Sequence, residues 1–161
     1  MDYNAYTYTE DALVGGFFLL FIAIALIIAL IGYVVNAFIY YTASKTNGFE
    51  DVAYIAWIPL ANMYCLFLLT AEGKTRSEQN AIAKRNILIY VGLFIATWIP
   101  LIGIIASLGL AGFTLYYIYR LFYRWSGSSG KSILYVVLTF ITSGLFYAIY
   151  GLMRMKRPFI A

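Results

Sequence analysis

The residues Trp57-Ile58-Pro59-Leu60 recur as Trp98-Ile99-Pro100-Leu101, 41 positions later, and each copy lies inside a long apolar run. Proline has no amide hydrogen, and its ring collides with the carbonyl four residues back. The carbonyls affected are those of Ile55 and Ala96. In hydrocarbon a carbonyl that loses its helical partner must find another within the protein. Each phrase therefore predicts a kink or break in a helix that other groups must repair.

The runs around these phrases set the class of the protein. The chain is 63% hydrophobic and 11% charged, against roughly 45–50% and about 25% in ordinary globular chains. Aromatic residues make up 19%, with 16 tyrosines. Such an excess suits membrane–water interfaces, where rings with a polar edge collect. Four apolar segments stand out, at about 13–41, 52–71, 87–119 and 133–153. The expectation is a single all-α membrane domain over 1–161: a polytopic helical protein of three or four transmembrane helices, with the second and third segments broken by proline.

The first segment opens after a polar, tyrosine-rich stretch, residues 1–12, read as a loose tail whose Tyr6 and Tyr8 can rest on the headgroup layer. The stretch holds Asp2, Glu10 and Asp11 and no Lys or Arg, and the apolar run that follows is longer than a signal-peptide core, so a retained anchor is expected. Glu10 and Asp11 suit the positive end of a helix dipole. Residues 13–41 exceed the ~20 needed to cross the hydrocarbon. Ala25, Ala29, Gly32 and Asn36 share one helical face, a stripe that lets another helix approach closely.

Asn47-Gly48 predicts a turn, and Glu50 with Asp51 a new helix start. Segment two then either crosses the membrane or dips in and returns, breaking at Ile58-Pro59 with Asn62 capping freed backbone groups. Both readings stay open at this point. Thr75-x-x-Glu78 matches a capping box, and the helix it starts carries Lys84 and Arg85 at the surface before entering segment three. In that segment Gly103, Ser107 and Ala111 form a second small-residue stripe, and Tyr116, Tyr117, Tyr119, Tyr123 and Trp125 read as an aromatic belt beside Arg120 and Arg124. Ser126–Ser132 reads as a flexible connector. Its Gly130-Lys131-Ser132 ending lacks the earlier glycine of a phosphate loop, since Trp125 stands there. The last segment is expected to be one helix ended by Arg154, Lys156, Arg157 and Pro158.

If segment two is re-entrant, Lys45, Lys74, Arg76, Lys84, Arg85, Arg154, Lys156 and Arg157 share one side of the membrane, and Arg120, Arg124 and Lys131 take the other. If it crosses, Lys45 changes side. The positive-inside rule puts the C-terminus in the cytoplasm either way. The N-terminus is outside in the first case and inside in the second.

Little chemistry is available. There is no histidine, the lone Cys65 has no base to activate it, and no charged residue sits deep in an apolar segment. These facts argue against a thiol hydrolase, a proton relay or a voltage sensor, and no metal or cofactor site is expected. The charges lie in short clusters beside apolar runs, which argues against a nucleic-acid surface. The best candidate is the doubled phrase, because helices broken at matching positions of two halves are the mark of a transporter site. Trp57, Pro59, Asn62, Thr97, Trp98 and Pro100, with the freed carbonyls, would form either a small polar pocket or a simple hinge that lets the helices pack.

Trp57-Ile58-Pro59-x-x-Asn62-x-Tyr64, followed by a second Ile-Pro, resembles a motif of small polytopic bacterial membrane proteins of uncharacterised function, over roughly residues 54–104. This chain has Gly103 where a second Asn would complete the pattern. The resemblance implies class and location only: a multi-pass protein of the bacterial inner membrane. The expected function is that of a non-enzymatic accessory, regulatory or immunity-type subunit, with the bilayer and a further membrane protein or a second copy as partners. The alternative is a small oligomeric channel or transporter that uses the broken helices.

Overall fold

A computed structural model describes the backbone of residues 3–161, with side chains from Leu13 onward. The chain order is α1 (Tyr3–Thr46), a 3₁₀ helix η1 (Glu50–Trp57), α2 (Asn62–Leu69), α3 (Arg76–Ala96), α4 (Ile102–Ser126), α5 (Ser129–Ile141) and α6 (Leu145–Arg154). The protein is all-helical, with no strand among the described residues. Two stretches, Leu13–Thr46 and Ile102–Ser126, are long and apolar enough to cross a membrane. The contacts divide the chain into two units, Met1–Val34 and Val35–Ala161.

In the first unit every side chain from Leu13 to Ile31 is exposed. A Cβ added at Gly15, Gly16 or Gly32 meets nothing within 4 Å. Helix α1 begins at Tyr3, so the polar stretch is helical from there on, and Glu10 and Asp11 lie beyond the first turn, where the dipole effect is small. The side chains of Tyr6 and Tyr8 lie outside the described residues.

The second unit is three helical hairpins: η1–α2, α3–α4 and α5–α6. Each copy of the repeated phrase is the tip of one of the first two. The third tip is Thr142-Ser143-Gly144, so the last apolar segment is not one helix. Ser143 and Gly144 take positive φ (51° and 91°), and the Gly144 amide donates to the Thr139 carbonyl at 2.8 Å, a Schellman-type stop. The connector before α5 is also shorter than expected: only Gly127 and Ser128 are non-helical, and Gly130, Lys131 and Ser132 form the first turn of α5. Ser132 is buried and its hydroxyl donates to the Ser128 carbonyl at 2.8 Å. The capping box at Thr75 forms on one arm, with the Glu78 amide donating to the Thr75 hydroxyl at 3.2 Å, while the Glu78 carboxylate accepts from the Lys74 amide at 2.9 Å.

The core centres on α2, where Cys65 to Leu69 are all fully buried. A helix apolar on every side must be surrounded. Phe67 meets Tyr90 of α3 and Phe113 and Tyr117 of α4 edge-on, with ring centroids 4.7–6.0 Å apart. Phe122 of α4 does the same for Tyr135 of α5 and Tyr147 and Tyr150 of α6. Part of the aromatic excess is therefore core. Trp125, expected in an interfacial belt, is fully buried, whereas Tyr116 and Tyr123 are exposed.

Gly151 of α6 is where α6 meets the last turns of α1. A Cβ there falls 2.7 Å from Cδ1 of the fully buried Ile39, and 3.3 Å from its Cγ1 and Cγ2. Gly151→Ala is expected to destabilise the fold by about 1–3 kcal/mol, as overpacking does. Ile39→Ala removes all three atoms, so the double variant should melt higher in detergent than the two single losses added together predict.

Candidate functional site

The two copies of the repeated phrase make the same turn. In the first, the Ile58 amide donates to the Ile55 carbonyl (3.0 Å), Ala61 to Pro59 (2.8 Å) and Asn62 to Ile58 (2.9 Å). In the second, Ile99 donates to Ala96 (3.2 Å), Ile102 to Pro100 (2.9 Å) and Gly103 to Ile99 (2.8 Å). The residue after each proline, Leu60 or Leu101, is the centre of a γ-turn with φ of 63° or 69°. Turns of this hand are rare and strained for a side-chain-bearing residue. Ile58 is extended, as a residue before proline prefers to be. The chain reverses at each phrase; it does not merely bend.

This geometry removes the expected polar pocket. The carbonyls of Ile55 and Ala96 each accept from the amide three residues on. The Thr97 hydroxyl donates to the Phe94 carbonyl at 2.6 Å within its own helix. Thr97, Trp98 and Pro100 do line an open cavity of about 390 Å³ with Gly103, Ile104 and Ser107, but no residue of the first copy reaches it. Trp57 instead packs on Tyr41 of α1, centroids 6.2 Å apart. Pro59 lies in the first tip, and Asn62 starts α2, buried and without a side-chain cap. The phrases are two hinges in two hairpins, not two walls of one site.

The small-residue stripes divide in the same way. Gly103 is needed locally, because a Cβ there would stand 2.5 Å from the Thr97 carbonyl oxygen. Ser107 and Ala111 face outward, and α4 packs inward through Ala106, Leu121, Phe122 and Trp125. Ala25, Ala29 and Gly32 are exposed, with Asn36 half-buried.

The built polar feature is at the opposite end of the hairpins. Three arginines each hold a carbonyl at or just past the end of an earlier helix. Arg76 donates to the Gly48 carbonyl at 3.2 Å, just past α1, and pairs with Asp51 at 2.6 Å. Arg120 donates to the Thr70 carbonyl at 3.1 Å, at the end of α2, and pairs with Glu72 at 2.6 Å. Arg154 donates to the Trp125 carbonyl, at the end of α4. Helix C-termini carry unpaired carbonyls and a partial negative charge, and a guanidinium answers both. The Ile160 amide donates to the Arg124 carbonyl (2.8 Å) and the Phe159 amide to the Asn47 side-chain oxygen (2.9 Å), which joins the C-terminal tail to the same layer. Arg76 and Arg124 face one cavity of about 520 Å³ there, and Arg85 and Arg120 face another of about 170 Å³ with Glu72.

These bonds join charged residues that lie far apart in the sequence. Asp51, at the start of the first hairpin, pairs with Arg76, just after it. Arg120, assigned to the far side from Lys74 and Arg76, pairs with Glu72 beside them. Arg154 meets Trp125. Each hairpin thus brings its two ends together, and the chain reverses within segment two. The sequence presents these arginines as topology signals and lipid headgroup contacts; their partners stand 25 to 50 residues apart, so no local pattern announces them. The available signal was length, since the halves of segment two around Pro59 are too short to cross a bilayer.

No family model, no curated protein and no solved structure matches the chain.

Replacing Arg120 tests the caps. Arg120→Met leaves the Thr70 carbonyl without its donor and should cost about 1–3 kcal/mol. Arg120→Lys should recover only part, because an ammonium cannot reach carbonyl, carboxylate and Tyr116 together. Glu72 is largely exposed, so Glu72→Gln should matter little and not at all in high salt. Melting in detergent at low and high ionic strength reads the three apart.

Proposed function

We propose that this protein is a non-enzymatic accessory or regulatory subunit of the bacterial inner membrane, of the kind that also includes immunity proteins. It works by laying Leu13–Val34 against a helix of a larger membrane protein. The observation that carries this reading is the bare circumference of that stretch: Leu13 to Ile31 are exposed on every side, and Ala25, Ala29 and Gly32 give one face on which another backbone can come close. In Val35–Ala161, by contrast, Arg76, Arg120 and Arg154 hold the hairpins together. In this reading the stretch crosses the bilayer once, with the C-terminus in the cytoplasm, where the Lys and Arg collect, and the N-terminus outside. A channel or carrier would need the two broken phrases to build one polar site, and the second-copy cavity holds no residue of the first.

A photo-cross-linking residue at Ile28 tests the proposal in native membranes. The expected product is a discrete adduct with one larger membrane protein, lost when Ala29→Leu and Gly32→Leu fill the stripe while melting stays unchanged. An adduct with a second copy of the chain moves the reading to a homo-oligomer. Lipid adducts alone, or an adduct indifferent to the two leucines, overturn it.

A further inference from the structure

We infer that Val35–Ala161 is seated in one leaflet only, its three hairpin tips pointing toward the bilayer midplane and its cationic face lying among anionic phospholipid headgroups. Three independent observations meet in this geometry, none of which depends on a protein partner.

The first is depth. Arg85 of α3 and Arg120 of α4 face the same cavity with Glu72. From Arg85 to the end of α3 at Ala96 the rise is roughly 17 Å, at ~1.5 Å per residue. From Ile102 to Arg120 in α4 the rise is roughly 27 Å, at ~1.5 Å per residue, and this placement requires α4 to tilt. From Lys131 to Ile141 in α5 the rise is roughly 15 Å, and from Leu145 to Arg154 in α6 roughly 14 Å. Half of the ~30 Å hydrocarbon core is ~15 Å. With their cations at one surface, α3, α5 and α6 reach the middle and not the far headgroups.

The second is what the tips are made of. Leu101 is 92% exposed and Trp98 78%, and Ile104, Phe140, Ile141 and Leu145 are exposed beside them. Residues 56–61, 97–104 and 139–146 contain no charge. Turns that emerged into water on the far side would be expected to carry polar residues. Apolar turns whose carbonyls and hydroxyls are closed by local bonds suit hydrocarbon. Thr139 and Thr142 donate to the carbonyls of Tyr135 and Leu138, both at 2.7 Å, and Thr142 accepts from the Phe146 amide at 3.0 Å.

The third is charge. All 11 Lys and Arg lie in this unit, in the clusters at the hairpin bases. Asp51 and Glu72 are each paired with an arginine, whereas Lys84, Arg85, Lys156 and Arg157 are exposed. A cationic layer around an apolar wedge is complementary to an anionic leaflet.

Single cysteines at exposed base positions, Ser77→Cys, Gly130→Cys and Lys156→Cys, and at the tip, Leu101→Cys, test the geometry in the full chain. Cys65 is buried, so the parent is the unlabelled control. In right-side-out and inverted vesicles, a membrane-impermeant maleimide should label all three base positions from one side only and Leu101→Cys from neither. A nitroxide at Leu101→Cys should be relaxed by oxygen and not by an aqueous nickel chelate. Base positions labelled from opposite sides, or Leu101→Cys labelled from either side, overturn the inference. For the headgroups, the chain is reconstituted in phosphatidylcholine vesicles containing phosphatidylglycerol. Spin-labelled phosphatidylglycerol should be enriched at the protein about threefold over spin-labelled phosphatidylcholine, the preference dropping in high salt. It should also drop when Lys84, Lys156 and Arg157 are changed to Gln, all of them exposed positions whose loss should leave melting unchanged. Equal association of the two lipids overturns the anionic assignment. Ala29→Leu with Gly32→Leu should leave every one of these readouts unmoved, which separates this inference from the partner proposed above.

Discussion

The second unit depends on guanidinium groups that hold the ends of earlier helices. Arg76 at the Gly48 carbonyl, Arg120 at the Thr70 carbonyl and Arg154 at the Trp125 carbonyl each tie a later hairpin to the end of an earlier helix. The ion pairs with Asp51 and Glu72 are exposed enough that screening by water leaves them little energy. What they contribute is geometry. A carbonyl at a helix end needs a donor, a planar guanidinium can serve a carbonyl and a carboxylate at once, and satisfying both brings residues on either side of an apolar segment to the same place.

That closure explains why the fold needs sharp tips. A segment that must return within a few turns cannot do so through a bent helix. It needs a reversal that leaves few unpaired backbone groups. Proline stops the helix, the extended residue before it redirects the chain, and a leucine at positive φ closes the γ-turn. The strain at Leu60 and Leu101 is of the order of 1–3 kcal/mol each. Packing around α2, with Phe67 wedged among Tyr90, Phe113 and Tyr117, offsets it. The third hairpin achieves the same reversal without proline, using Ser143 and Gly144 at positive φ. Three hairpins with different tips thus share one architecture, because the constraint is the return and not the motif.

Much of the local structure is legible in the chain. Asn47-Gly48, the acidic pair Glu50-Asp51 and Thr75-x-x-Glu78 mark a turn and two helix starts by short-range chemistry, and each is found where it was read. The proline phrases mark breaks for the same reason. The break at Ser143-Gly144 is harder to read, since glycine and serine also occur inside membrane helices. The aromatic residues mislead for a different reason. A tyrosine or tryptophan fits an interface and a core equally well by composition, and only the neighbours of Trp125 and Phe122 place them inside. The candidate pocket failed because the repair of Ile55 and Ala96 is local, while the pocket needed two tips to converge.

By itself the sequence determined that the chain is helical and apolar, where its helices begin and break, and that it lacks the side chains for most chemistry. Those properties follow from the period, the proline rings and the residue inventory, all of which act over a few residues. Only the tertiary structure decided that the broken segments turn back, that Arg120 stands with Glu72 and not across from it, and that the small residues of α4 face away from its own core. These are questions of which distant groups meet. They are answered by unpaired carbonyls and apolar faces finding partners in three dimensions, and the order of residues along the chain carries no direct record of that pairing.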